Sequence, residues 1–165
     1  MVRQKSRWLL VRLDFEEISQ ATPSSALQLQ LTTTDIYRAL LDAIQQNYGL
    51  VAGASSAELK VLLYDQEHQL AIVKTSRDNY PTVRTSLTFL TQIKQGGDTL
   101  KVAAATLAVC GSSRTARNAA WSELQKRFYN SQRPLNDGES RKRRKSIEKG
   151  LKDLEKRMKS VDSCC

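Results

Sequence analysis

Residues 58–74, ELKVLLYDQEHQLAIVK, hold two short apolar strand patterns on either side of one polar tip. Ala57, Leu59, Val61 and Leu63 alternate with Glu58 and Lys60, the period of two expected of a half-buried strand. Asp65-Gln66-Glu67-His68-Gln69 turns the chain and Leu70 to Lys74 returns, so the segment predicts a hairpin. What flanks this hairpin decides the fold. Upstream, Leu9, Val11 and Leu13 alternate with Trp8, Leu10 and Arg12 in a first strand. A Ser/Thr/Gln-rich loop from Ser19 to Gln30 follows, and then a helix capped by Thr33 or Thr34. Ile36, Leu40, Ile44 and Tyr48 line one face of that helix, and Gly49 stops it. Downstream, Asp78 or Asn79 caps a second helix with Pro81 in its first turn. Its buried stripe is Val83, Leu87, Leu90 and Ile93, and Gly96-Gly97 ends it.

Leu100 to Cys110 mixes alanines, which favour helix, with valine and threonine, which favour strand; its place before Gly111 makes it a fourth strand. Ser112 or Ser113 then caps a third helix with apolar positions Ala116, Ala120, Leu124 and Phe128. The order strand, helix, strand, strand, helix, strand is the split βαβ plan. The expected fold is α+β, ferredoxin-like or RNA-recognition-like: a four-stranded antiparallel sheet with two helices on one face. Unrelated functions share that fold, so it assigns none.

Arg133-Pro134-Leu135-Asn136-Asp137-Gly138 breaks the chain into a domain of residues 1–133 and a basic tail of residues 134–165. The tail opens on Arg141, Lys142, Arg143, Arg144 and Lys145. Ile147, Leu151, Leu154, Met158 and Val161 then recur at helical spacing, with Glu148–Lys152 and Glu155–Lys159 four residues apart. The tail is expected to be disordered or partly helical alone and to set firmly only against a partner.

The net charge is +9. Residues 1–136 hold 16 Lys/Arg against 11 Asp/Glu, and residues 137–165 hold 10 against 6. Such a balance favours a polyanionic partner, above all a nucleic acid. Catalytic and metal chemistry find little support. His68 is the only histidine, no Cys-x-x-Cys pair exists, and the acidic pair Glu16-Glu17 would point to opposite faces of an extended segment. No catalytic or metal-binding residue is assigned. Cys110 stands alone, and Cys164-Cys165 invites a lipid reading that would need a phosphate-binding loop the sequence lacks. The cysteine usage suits a reduced, intracellular chain, and no apolar run approaches the roughly 18 residues of a membrane span.

Two segments carry the expected RNA contact. Arg3, Lys5 and Arg7 alternate with uncharged residues, so an extended backbone sets them on one side about 7 Å apart, close to the spacing of successive phosphates. Gly111, Ser112 and Ser113, followed by Arg114 and Arg117, place backbone N–H groups, hydroxyls and cations at a helix N-terminus, a ready phosphate site. The competing readings are a solvated N-terminus and plain serine capping. No aromatic stands on the third strand to stack bases, so the outer face of the sheet suits a protein partner or the third helix.

The opening MVRQKSRWLL, residues 1–10, resembles the MVRxKxRYxL start of the Pop-five family of ribonuclease P and ribonuclease MRP, with Trp8 for the usual tyrosine. Leu107 to Thr115 is similar to that family's VSGTI[RK] segment, keeping Gly111 but carrying Ser112 and Ser113 for threonine and isoleucine. The resemblance covers residues 1 to about 130; the tail from Asn136 matches nothing. It implies a non-catalytic RNA-binding subunit that supports removal of the 5′ leader from precursor tRNA and processing of ribosomal RNA precursors. It further implies a catalytic RNA carrying the magnesium ions, no cofactor on the protein, an Rpp-thirty-type barrel partner, and a place in nucleus and nucleolus. Arg141 to Lys145 would then serve as an import signal or a second RNA contact. The rivals are a scaffold subunit of a nuclear complex that touches no RNA, and an enzyme active without RNA.

Overall fold

The strand pattern of residues 6–15 is apolar on both sides, so both sides need covering. In a computed structural model, which describes residues 5–15, 31–55, 58–95 and 98–131, they are covered. The elements are β1 (Ser6–Phe15), α1 (Thr33–Ser55), β2 (Lys60–Asp65), β3 (Leu70–Ser76), α2 (Tyr80–Thr88), β4 (Gln92–Gln95), β5 (Asp98–Cys110) and α3 (Ser113–Ser131). The sheet runs β2-β3-β1-β5-β4, and every neighbouring pair is antiparallel. Leu9, Val11 and Leu13 pack with Ile36, Leu40 and Ile44 of α1 and with Val83 and Leu87 of α2. Trp8 and Leu10 pack on the other side with Leu70, Ile72 and the Ala116, Ala120 and Leu124 stripe of α3. The third helix therefore covers the outer face, one of the two occupants the sequence allowed.

The split βαβ plan holds, with a correction: the sheet has five strands, not four. Helix α2 ends at Thr88, and Ile93, expected on its buried stripe, is the inward residue of β4. The spacing from Leu87 through Leu90 to Ile93 continues a helical period, but Gln92 to Gln95 alternates outward and inward with period two. Gln95 pairs with Asp98, so only Gly96 and Gly97 separate β4 from β5. The pair expected as a helix stop lies between two strands.

Smaller departures have local causes. Thr32, one residue before the expected caps, caps α1: its hydroxyl accepts from the Asp35 N–H at 3.3 Å, and the Asp35 carboxylate accepts from the Thr32 N–H at 3.0 Å. Gly49 takes φ 82°, ψ 175°, so the first helical stretch stops there as expected and a second runs on to Ser55, while Tyr48 beside it is exposed and not buried. In β2 the register shifts between Val61 and Leu63. That bulge moves Leu63 to the α3 side and Tyr64 to the α1/α2 side, so the simple alternation fails there. Asn79 precedes α2 as expected, but its side chain makes no capping bond.

The tip of the β2–β3 hairpin pins the far end of α3. Buried Asp65 accepts from the His68 backbone N–H at 3.1 Å and pairs with the His68 ring, while Arg127 donates to the His68 carbonyl at 2.9 Å. Next to it, Tyr64 has its phenol pushed up to about 12, first by burial and then by the charge of Asp65.

Two outcomes follow. Leu9→Ala empties a fully buried position, and chemical denaturation should show a loss of about 2–5 kcal/mol. Tyr64 stays protonated in the folded chain where the unfolded chain ionises, so stability should fall as pH rises from 10 toward 12. In Tyr64→Phe that decline in urea midpoint should be shallower.

Candidate nucleic-acid interface

β1 begins and β5 ends at the same end of the sheet, because the two are antiparallel neighbours with Trp8 opposite Cys110. This brings together the two segments singled out in the sequence, which lie some hundred residues apart. The Arg7 guanidinium reaches over Gly111: its Nη1 stands 3.9 Å from where a Cβ on that glycine would sit, ordinary van der Waals contact. The same Nη1 donates to the Ser6 carbonyl at 3.4 Å. Lys5 is exposed, and its carbonyl accepts from the backbone N–H of Arg77 at 2.8 Å. Arg3 and the cluster from Arg141 to Lys145 lie outside the described residues.

The tip of α3 shows how its residues divide their work. Ser112 is the cap: its hydroxyl accepts from the Thr115 N–H at 3.3 Å, and its own N–H donates to the Thr115 hydroxyl at 3.2 Å. The Ser112 hydroxyl thus serves the helix first. Ser113 is the first helical residue and is half-buried. Arg114 is exposed, whereas Arg117 is half-buried and already partnered within the protein, so Arg114 is the more accessible of the two.

Sequence reasoning missed three further cations at this end. Arg77 is exposed just after β3, in a segment whose caps drew the attention. Lys60 begins β2 and Lys74 nears the end of β3; they are register partners, and Lys74 in turn stands opposite Trp8. The Lys74 ammonium lies over the Trp8 ring, 5.3 Å from its centroid, a cation–π contact. Strand periodicity marked these lysines only as polar positions; register places them beside the others. Lys5, Arg7, Lys60, Lys74, Arg77, Arg114 and Arg117 therefore share one end of the sheet with the acids Glu58 and Asp78.

Against this basic end stands a different surface. Phe89, 60% exposed, lies between two open grooves. One, of about 340 Å³, is shared with Asp35, Arg38 and Asp42 of α1; the other runs along Tyr80, Pro81 and Arg84 of α2. Among the described residues, no three of His, Cys, Asp and Glu come together as metal ligands, and no helix is long and apolar enough to cross a membrane.

The model of the Rpp14/Pop5 family matches residues 7–121, from the Arg7 end of β1 into α3. The chain belongs to the Rpp14/Pop5 family. The Pop-five resemblance is borne out, and with it membership among ribonuclease P/MRP subunits. Among solved structures the chain is similar to one in the cryo-EM structure of yeast ribonuclease MRP, at 15% identity and a TM-score of 0.46. That match covers 94% of this chain and 98% of the other. No curated protein matches. The family match spans both arms of the basic end, Arg7 and the segment from Gly111 to Arg117.

Ser112→Ala removes the acceptor for the Thr115 N–H. Urea denaturation should show a loss of about 1 kcal/mol, the usual worth of a serine cap.

Proposed function

We propose that the chain is a non-catalytic, RNA-binding subunit of the ribonuclease P and ribonuclease MRP ribonucleoproteins. Its work there supports removal of the 5′ leader from precursor tRNA and processing of ribosomal RNA precursors. One observation carries the RNA contact: the Arg7 guanidinium lies over Gly111, joining both basic segments in one cationic end. Arg3, Lys5, Arg7, Arg114 and Arg117 pair with phosphates, and Gly111 and Ser113 offer backbone N–H groups beside them, that of Ser112 being taken by the Thr115 hydroxyl. Contacts of that kind hold a polynucleotide in place and do not read its sequence.

In this reading the RNA performs the cleavage with magnesium ions of its own, and the protein binds no cofactor. Its protein partners include an Rpp-thirty-type barrel subunit, and it works in nucleus and nucleolus. Arg141 to Lys145 serve import or a second RNA contact. The exposed Phe89, away from the basic end of the sheet, suits the protein side of such an assembly. It also favours the rival, a scaffold that touches no RNA; crosslinking RNA to the chain in the purified complex separates the two.

If all five cations engage, the log–log dependence of affinity on salt should have a slope of about −4 to −5, using duplex-like values. The full chain should bind the structured RNA that co-purifies with it on that slope. Replacing the five by alanine should flatten it by most of that amount, and a change of less than about one unit would count against the assignment.

A further inference from the structure

Resting on the reading just given, we infer that another protein subunit of the ribonucleoprotein adds an extended strand to the outer edge of β5. That strand, of 13 residues, has two edges that are filled unequally. On one side β1 pairs with it from Val102 to Cys110, while on the other β4 pairs with it only from Asp98 to Lys101. Thr91, just before β4, accepts from the Val102 N–H at 2.9 Å, and there the described partners of the outer edge stop. Val102 to Thr106 pair one for one with Phe15 to Val11, and the extra residue, Leu107, comes only afterwards. In a regular strand, alternate residues turn their N–H and C=O groups to the same edge. Since the Val102 N–H faces outward, the backbone groups of Ala104 and Thr106 do too, and no described strand lies beside them.

What such an edge takes is set by its chemistry. A row of alternating N–H and C=O groups is completed by another extended backbone about 4.8 Å away. RNA phosphates only accept hydrogen bonds, so they leave the carbonyls unmatched. No residue from Val102 to Cys110 is charged, so nothing along the edge draws a polyanion, and a charge on an incoming strand finds no counter-charge there. The small side chains of Ala103, Ala104 and Ala105 let a second backbone approach. Ala103 and Val109 are exposed, and the Thr106 hydroxyl is buried with no hydrogen-bond partner among the described residues. The opposite edge of the sheet shows the contrast. β2 has six residues, an exposed Lys60 and a bulge between Val61 and Leu63, devices that keep an edge from pairing. From Val102 to Thr106 β5 has neither a charge nor a bulge. The occupant is an uncharged, extended protein segment that continues the line of β4.

The test follows amide hydrogen exchange over residues 102–107 in the free full chain and in the purified ribonucleoprotein. The Ala104 and Thr106 amides should exchange freely in the first and be protected in the second. Those of Ala103 and Ala105, which face β1, should be protected in both. Ala103 is exposed and opposite Asp14, far from the basic end, so Ala103→Lys should leave the melting temperature and the salt slope of RNA binding unchanged. It should nevertheless release one protein subunit from the assembly, because a lysine blunts a pairing edge, whereas Ala103→Ser should retain that subunit. Protection of Ala104 and Thr106 in the free monomer means that the chain covers its own edge, and protection that appears with dimers of the free chain makes the occupant a second copy. Either result overturns the proposal. So does fast exchange of both amides in an assembly that still holds RNA and other subunits, an outcome that leaves the ribonuclease P/MRP reading standing. A chain that joins no such assembly overturns that reading as well.

Discussion

β1 is hydrogen-bonded along both edges and buried on both faces. With water kept from its central backbone, its N–H and C=O groups are satisfied by β3 on one edge and β5 on the other. That double pairing is what the rest of the structure depends on. It fixes where β3 ends and where β5 ends relative to the first residues of β1, and so it fixes where the cations of three distant segments meet. The apolar side chains supply the energy: burying a leucine or valine is worth about 1.5–3 kcal/mol, and β1 alone buries Leu9, Leu10, Val11 and Leu13. Like charges at an exposed sheet end cost far less than that, so the fold can hold a concentration of cations that an isolated peptide would disperse.

The two faces divide the work. The side covered by α1 and α2 is the larger core, and it holds the sheet together. The side covered by α3 is smaller and built partly from alanines, Ala116 and Ala120, which let the helix lie close to the strands. The helix is capped at its start by Ser112 and tied at its far end by the Arg127 bond to the hairpin tip. Its N-terminus lies next to the Trp8–Cys110 pair because the helix begins three residues after Cys110. A cation borne on a firmly seated helix or strand loses little freedom on binding, so its charge acts at a defined place.

Much of this was legible in the residues. The hairpin at 58–74, the first strand and the stripes of α1 and α3 follow from periodicity, and Ile36, Leu40 and Ile44 of α1 and Ala116, Ala120 and Leu124 of α3 reappear as buried side chains, whereas Tyr48 is exposed. The failures share a cause: periodicity describes one element at a time. The Leu87, Leu90, Ile93 spacing imitates a helix, yet pairing of Gln92–Gln95 with β5 makes the second half a strand. A one-residue bulge in β2 hides from any alternation count because only the partner strand shows which residue is extra. Of the candidate site, Lys5, Arg7, Gly111 and Arg114 were visible as local patterns. Lys60, Lys74 and Arg77 were not, because nothing near them in the chain marks them as different from other surface cations.

By itself the sequence determined the element types outside residues 92–95, the split βαβ order, the basic balance and the family, since these rest on local chemistry and on motifs contiguous along the chain. Tertiary structure alone decided that β4 exists, that α3 closes the second face, and that cations from the start of β1, the ends of β3 and β5 and the start of β2 stand together. The reason is that antiparallel register sets which residues from distant segments become neighbours. Register is a property of pairs of strands, and a single strand's pattern does not contain it.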